Sequence, residues 1–308
     1  MVTVFALVSA VLYGSADFLG GAATRRAHVL SVLVLSSVAG LVIAVVAAVG
    51  SGEPFAAAGL GWGLGAGVVG GLGLIVFYSG LAAGPMSVVA PVSALVSTIL
   101  PVGIALAQGE RPGPAVYAGG ALCLTAIVLV SSGSATSSGS GSGSDSDSDS
   151  DCDSGGGGGG VGRSGGGGRR RGRAVGYGVA AGASFGVFFV FMRSGGQSGA
   201  LWPVTAARLG GLGVIMTAAV VIRAAPLSWR PARGPFAAAI GSGVLDSSAN
   251  ISYVLATRAG LFGLAVVLAA LYPGVTVLLA RLLLGERLRW AQRAGLGIAA
   301  VGIVLVAG

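Results

Sequence analysis

The sequence predicts an all-α integral membrane protein whose ten transmembrane helices form two inverted five-helix repeats. Three observations lead there. Apolar residues make up 54% of the 308 residues and charged residues only 9%, with a mean hydropathy of +0.90, whereas soluble domains carry roughly 25% charged residues. Arg, Gly and Pro divide the chain into ten apolar runs of bilayer-spanning length, and none shows the short alternating pattern of a barrel strand. A low-complexity tract splits those runs into five and five, and the two blocks repeat one another's landmarks.

The expected spans are 2–22, 29–49, 59–82, 87–107, 114–131, 174–192, 202–222, 235–257, 262–284 and 291–307. Residues 1–131 form the first five-helix block and 174–308 the second. The first span is expected to be retained rather than cleaved, because it lacks a basic leading segment and Asp17 falls where a leader would be apolar.

Composition also excludes functions. All 18 basic residues are Arg, so the lysines used by P-loops and Schiff bases are missing. The single His28 sits beside Arg25 and Arg26 at a helix end, and Cys123 and Cys152 form no metal or disulfide pattern. No cofactor is expected, and no enzyme. The net charge of +8 comes from arginines scattered between apolar runs, not from a basic folded face, so nucleic acid is not an expected partner.

In the first span Ser9, Tyr13 and Asp17 share one face at i, i+4 and i+8. In the third, Gly59, Gly63, Gly67 and Gly71 recur every fourth residue, with Gly61, Gly65 and Gly73 offset by two. Small residues at that spacing let helix backbones approach closely in lipid. Pro91 and Pro101 interrupt the fourth span and Pro273 the ninth. Each frees a backbone carbonyl that a neighbour or cavity water must meet, and broken helices often line transporter sites.

Residues 132–173 are Ser/Gly-rich, with alternating acids from Asp145 to Asp153 and then Arg169, Arg170 and Arg171. Such a tract cannot build a core and is expected to be a disordered linker.

The eighth span carries the most polar face. Ser242, Asp246, Asn250, Tyr253 and Thr257 are spaced four, four, three and four apart among Ala, Val, Ile and Leu. A carboxylate in mid-membrane is costly unless it faces protein or water. This face is therefore expected to form one wall of a polar cavity. At a rise of about 1.5 Å per residue, Arg208 lies about 9 Å from the face carrying the termini, Asp246 about midway and Asp17 nearer the other face. Arg208 is thus expected to pair with Asp246 and not with Asp17. Arg281 is close enough to its helix end to snorkel. The candidate substrate and coupling residues are Asp246, Asn250, Arg208, Asp17, Tyr13, Tyr253, Tyr272 and Ser242. The tyrosines and Asn250 would supply aromatic walls and hydrogen bonds. Asp246 or Asp17 would carry a proton between charged and neutral forms, coupling movement of a small-molecule substrate to the proton gradient.

The two blocks share a pattern. Tyr78 precedes Gly109-Glu110-Arg111, and Tyr253 precedes Gly285-Glu286-Arg287, with 32 and 33 residues from Tyr to Glu. Pro101 and Pro273 lie 8 and 12 residues before the closing Gly, so the two helices should kink at different levels. This double plan, the repeated Gly-Glu-Arg, the Leu271-Tyr272-Pro273 sequence and the opening Tyr13-Gly-Ser-Ala-Asp-Phe resemble the EamA family of the drug/metabolite transporter superfamily. The resemblance covers the chain outside the linker. It implies a transporter of amino acids, other metabolites or drugs, with Gly-Glu-Arg fixing a helix end through a turn and an ion pair.

Five helices per block is odd, so similar blocks must enter the membrane in opposite senses, with the substrate site at their interface. Loops after odd-numbered spans hold thirteen arginines and those after even-numbered spans three. By the positive-inside rule the linker is cytoplasmic and the termini are outside, whereas the resemblance implies cytoplasmic termini. The expected function is a secondary active transporter of the cell (plasma) membrane, an exporter of a small polar or amphipathic metabolite by alternating access. The alternative is a non-transporting scaffold or sensor on the same fold. A transporter should show a polar crevice reaching Asp246 and Asn250 from one face, and a scaffold should have that face packed shut.

Overall fold

The computed structural model describes residues 1–27, 29–83, 86–134, 165–221, 233–284 and 290–307. They form α-helices joined by short turns, with no strand among the described residues. In chain order these are α1 (Val2–Thr24), α2 (Val29–Gly50), α3 (Ala57–Ala83), α4 (Met86–Ala107), α5 (Pro114–Ser134), α6 (Gly165–Gly196), α7 (Leu201–Val221), α8 (Arg233–Ala259), α9 (Phe262–Ala269), α10 (Tyr272–Leu284) and α11 (Trp290–Ala307). The ten expected spans are all present, the ninth divided into α9 and α10.

By length and composition, seven of these segments are apolar enough to cross a membrane, with α9 and α10 counted as one, and α5 and α11 supply two shorter apolar helices. The remaining helix, α8, carries the polar face. It packs along α1 and α2, which cover the groups that would otherwise cost free energy in lipid.

Two expectations need correction. The tract 132–173 is shorter as a break than expected, because α5 continues to Ser134 and α6 already begins at Gly165. Extending a formed helix by a residue costs far less than nucleating one, and the good propensity of Arg169, Arg170, Arg171 and Arg173 works against the poor propensity of the glycines between and before them. Residues 135–164, including the acidic run, lie outside the described residues. The second correction concerns proline. Pro91 and Pro101 stay inside an unbroken α4, whereas the ninth span breaks at Ala270 and Leu271, just ahead of Pro273. There Pro273 occupies the first turn of α10, the one helical place where its missing N–H has no partner to lose.

The glycine rows of α3 do what their spacing predicts. A Cβ on Gly63 or Gly67 would run into the backbone carbonyls of Pro203 or Ala207 on α7, and one on Gly71 would stand 2.9 Å from Val214 Cβ. The offset Gly65 and Gly73 face Phe191 and Ser184 on α6. Thus α3 is wedged between α6 and α7.

Most packing joins early helices to late ones. α1 runs along α8 and touches α9 and α10, while α6 runs along α3 and touches α4. α2 lies against α7 and α8, and α7 against α2 and α3. α4 meets α9, and α5 meets α11. Two apolar clusters bind this interlocked bundle, one around Met192, Tyr253 and Phe262, the other around Cys123, Ile127 and Leu268.

Candidate functional site: a polar crevice between the two blocks

The rows of small residues bring backbones together at some crossings and leave a gap at the centre. That gap is a cavity of ≈ 680 Å³ walled by α1, α2, α3, α4, α6, α7, α8 and α10. Its lining reaches Thr24 at the end of α1 and Tyr78 near the end of α3, and in the other direction goes no further than Asn250 in α8, Phe189 in α6 and Val204, one turn into α7. Rings of Phe77, Phe185, Phe188 and Tyr272 form much of the wall.

Seven of the eight predicted residues line this cavity: Tyr13, Asp17, Arg208, Ser242, Asp246, Asn250 and Tyr272. Arg208 Nη1 donates to Asp246 Oδ2, and their side chains are 15% and 35% exposed, so the pair sits in the cavity wall and not in lipid. Arg208 Nη2 is buried with no hydrogen-bond partner. Asn250 Nδ2 donates to the Asp246 carbonyl at 2.8 Å, one helical turn back, and its Oδ1 accepts from Tyr13 hydroxyl at 2.8 Å. The Tyr13 ring meets Phe189 edge-on at 6.5 Å and Tyr272 at 6.1 Å. Ser242 spends its hydroxyl on the Ala16 carbonyl at 2.8 Å, and Ser9 does the same with Ala249 at 2.9 Å. These bonds zip α1 to α8.

Asp17 differs from Asp246. It is exposed to the cavity and has no hydrogen-bond or ion-pair partner among the described residues. The wall therefore holds one neutralised carboxylate and one free one.

Tyr253 does not reach the cavity. It is fully buried, donates to the Phe189 carbonyl at 3.2 Å and packs its ring 4.9 Å from that of Phe189. Its angular position on α8 matches that of Asp246 and Asn250. Depth excludes it, because Phe189 forms the floor one level above. Spacing along one helix cannot register where a different helix closes the space.

Sequence reasoning missed the residues that close the far side. Glu53 lies between α2 and α3, and its two carboxylate oxygens accept from Ala200 N–H at 2.6 Å and Leu201 N–H at 2.8 Å at the start of α7. Glu110, after α4, accepts from Phe262 N–H at 2.8 Å and Gly263 N–H at 3.0 Å at the start of α9. The expected turn and ion pair at Gly109-Glu110-Arg111 are present in altered form. Gly109, at φ 91°, ends α4, with Glu110 N–H returning to the Ala105 carbonyl at 3.1 Å in a Schellman-type cap. The ion-pair partner of Glu110 is Arg193 of α6, at 3.7 Å. The second such triplet, Gly285-Glu286-Arg287, lies outside the described residues.

The class is thus an all-helical membrane protein with a largely apolar crevice, set with a few polar and charged groups, between two interlocked blocks. Residues 172–308 match the model of the EamA-like transporter family. That family comprises transporters, not enzymes. A solved structure described as "Crystal structure of protein" shares the fold, with a TM-score of 0.72 over 99% of this chain and 95% of that chain at 17% identity. No curated protein sequence matches the chain.

Proposed function

We propose that the protein is a secondary active transporter that exports a small polar or amphipathic metabolite across the cell membrane by alternating access. The observation that carries this reading is the crevice itself, whose lining extends from Thr24 and Tyr78 to Asp246 and Asn250, while Glu53 and Glu110 tie helix ends together on the opposite face. A scaffold would have this face packed shut. The wall chemistry fits an amphipathic cargo: aromatic rings offer area, and a few polar groups fix orientation.

The alternation we infer needs two inverted repeats on either side of the linker, and the pattern of helix contacts is compatible with them. Counting α9 and α10 as the ninth of ten spans and α11 as the tenth, an advance of five spans exchanges the α1–α8 packing with that of α6–α3, and α1–α9 with α6–α4, while α2–α7, α4–α9 and α5–α11 map onto themselves. A bundle whose contacts are exchanged in this way can rock between two related arrangements. The crevice lining reaches the ends of α1 and α3, the side to which the sequence order assigns thirteen of the 18 arginines. By the positive-inside rule that face is cytoplasmic, so the cargo loads from the cytoplasm, as export requires. Asp17, with no bonding partner among the described residues, is the group that carries the coupling proton, while Asp246 is held by Arg208.

The test is a comparison of metabolites in cells with and without the protein, and with Asp17→Asn. One or more small metabolites should accumulate in cells lacking the protein and leave those that contain it. Identical profiles in all three would sink the reading.

A further inference from the structure

Helices are usually capped at the N-terminus by a polar side chain from the residue just before them. Neither α7 nor α9 has one. The chain enters α9 through Leu261, which makes no side-chain cap bond, and enters α7 through Gly199 and Ala200. Their first amides are met instead by Glu53, 147 and 148 residues away, and by Glu110, 152 and 153 residues away. In both cases a carboxylate of the first block turns both oxygens onto two successive amides of the second.

The two arrangements match further. Each glutamate follows a glycine of positive φ just past a helix end, Gly52 at 67° and Gly109 at 91°. That backbone turn, which favours glycine, aims the next side chain across the bundle. Each is also tied down by a second bond between the blocks. The Glu53 carbonyl accepts from the Trp202 indole at 3.0 Å. Arg193 pairs with Glu110, donates to Gln108 Oε1 at 2.5 Å and lies 4.4 Å over the Phe262 ring. All these contacts lie on the face opposite the crevice mouth.

We propose that Glu53 and Glu110 are paired latches that hold this face shut, and that cargo leaves only when both release the starts of α7 and α9. The proposal rests on the alternating-access reading above. Its physical basis is reversibility. A carboxylate on unsatisfied helix amides is a strong, charge-assisted acceptor, yet both glutamates are only partly buried, so water can replace the amides on release. A purely apolar seam would have no such substitute. Because the caps come from the opposite block, separation of the blocks removes them without unfolding either helix.

The test uses the full chain with Cys123 and Cys152 replaced by serine, in lipid nanodiscs, with spin labels at Ser51→Cys and Gln197→Cys across the latched face. A second pair at Thr24→Cys and Tyr78→Cys reports on the crevice mouth. In the parent protein the first pair should give mainly a short distance. Glu53→Gln with Glu110→Gln turns charge-assisted bonds into neutral ones and should move the ratio of long to short distances by about tenfold. Gly199→Ala approaches the same latch without altering charge: a Cβ there would stand 2.7 Å from Glu53 Oε1, and at φ 148° it also strains the backbone that leads into α7. It should shift the distances in the same direction, and it serves where the double glutamine variant fails to fold. Unchanged distances at the latched face in the folded variants would overturn the latches. Opening of that face without narrowing at the mouth would leave the latches standing and overturn alternating access.

Discussion

Arg208 and Asp246 form an ion pair between α7 and α8 on the wall of the central crevice, with Nη1 on Oδ2 and Nη2 buried without a partner. One guanidinium is therefore held by a single carboxylate, and little else compensates its burial. Asp246→Asn should destabilise the protein by about 3 kcal/mol, the lower end for breaking a buried pair, because the crevice side of Asp246 is wet. Thermal unfolding in detergent measures this. Arg208→Leu combined with Asp246→Leu should recover much of the loss, since no unpaired charge remains. Equal stability of the Asn variant and the parent would mean that Arg208 does not depend on Asp246.

Asp17 should behave in the opposite way. It makes no bond among the described residues, so Asp17→Asn should leave the melting temperature nearly unchanged. Flux of an identified metabolite in proteoliposomes should lose its dependence on an imposed pH difference. If that dependence survives in Asp17→Asn and vanishes in Asp246→Asn, the coupling proton belongs to Asp246.

The glycines of α3 separate packing from propensity. Gly67→Ala places a methyl group against the Ala207 carbonyl and should cost about 1–3 kcal/mol, the range for overpacking. Gly61→Ala meets nothing within 4 Å and should be neutral or stabilising by up to about 1 kcal/mol, the usual helix gain over glycine. The melting temperature should fall for Gly67→Ala and hold or rise for Gly61→Ala.

Tyr13 and Tyr253 should also part company. Tyr253→Phe loses one buried hydrogen bond to the Phe189 carbonyl and should cost about 1 kcal/mol of stability, with KM for transport unchanged. Tyr13→Phe frees Asn250 Oδ1 on the crevice wall and should alter KM. If Tyr253→Phe changed KM as much as Tyr13→Phe, the floor assigned to Phe189 would be wrong.

Local pattern was enough for much of this protein. Ten apolar runs, the glycine rows of α3 and the stripe of Ser242, Asp246 and Asn250 are all statements about one helix at a time. The membrane makes such statements strong, because every backbone group must be satisfied within its own segment. Even the Arg208–Asp246 pair was legible, since two ionisable groups at similar depth have few other partners in lipid.

Tertiary structure alone decided which of those faces stay wet and what seals the bundle. Tyr253 shares the polar stripe yet lies beneath Phe189, a residue of α6 whose depth no α8 periodicity records. Glu53 and Glu110 follow glycines in a Gly-Glu pair that can be read from the chain, but their partners lie 147 to 153 residues away. Helix amides exist in every helix and leave no mark in the residue type, so only the interlocking of the two blocks determines which carboxylate meets which helix start.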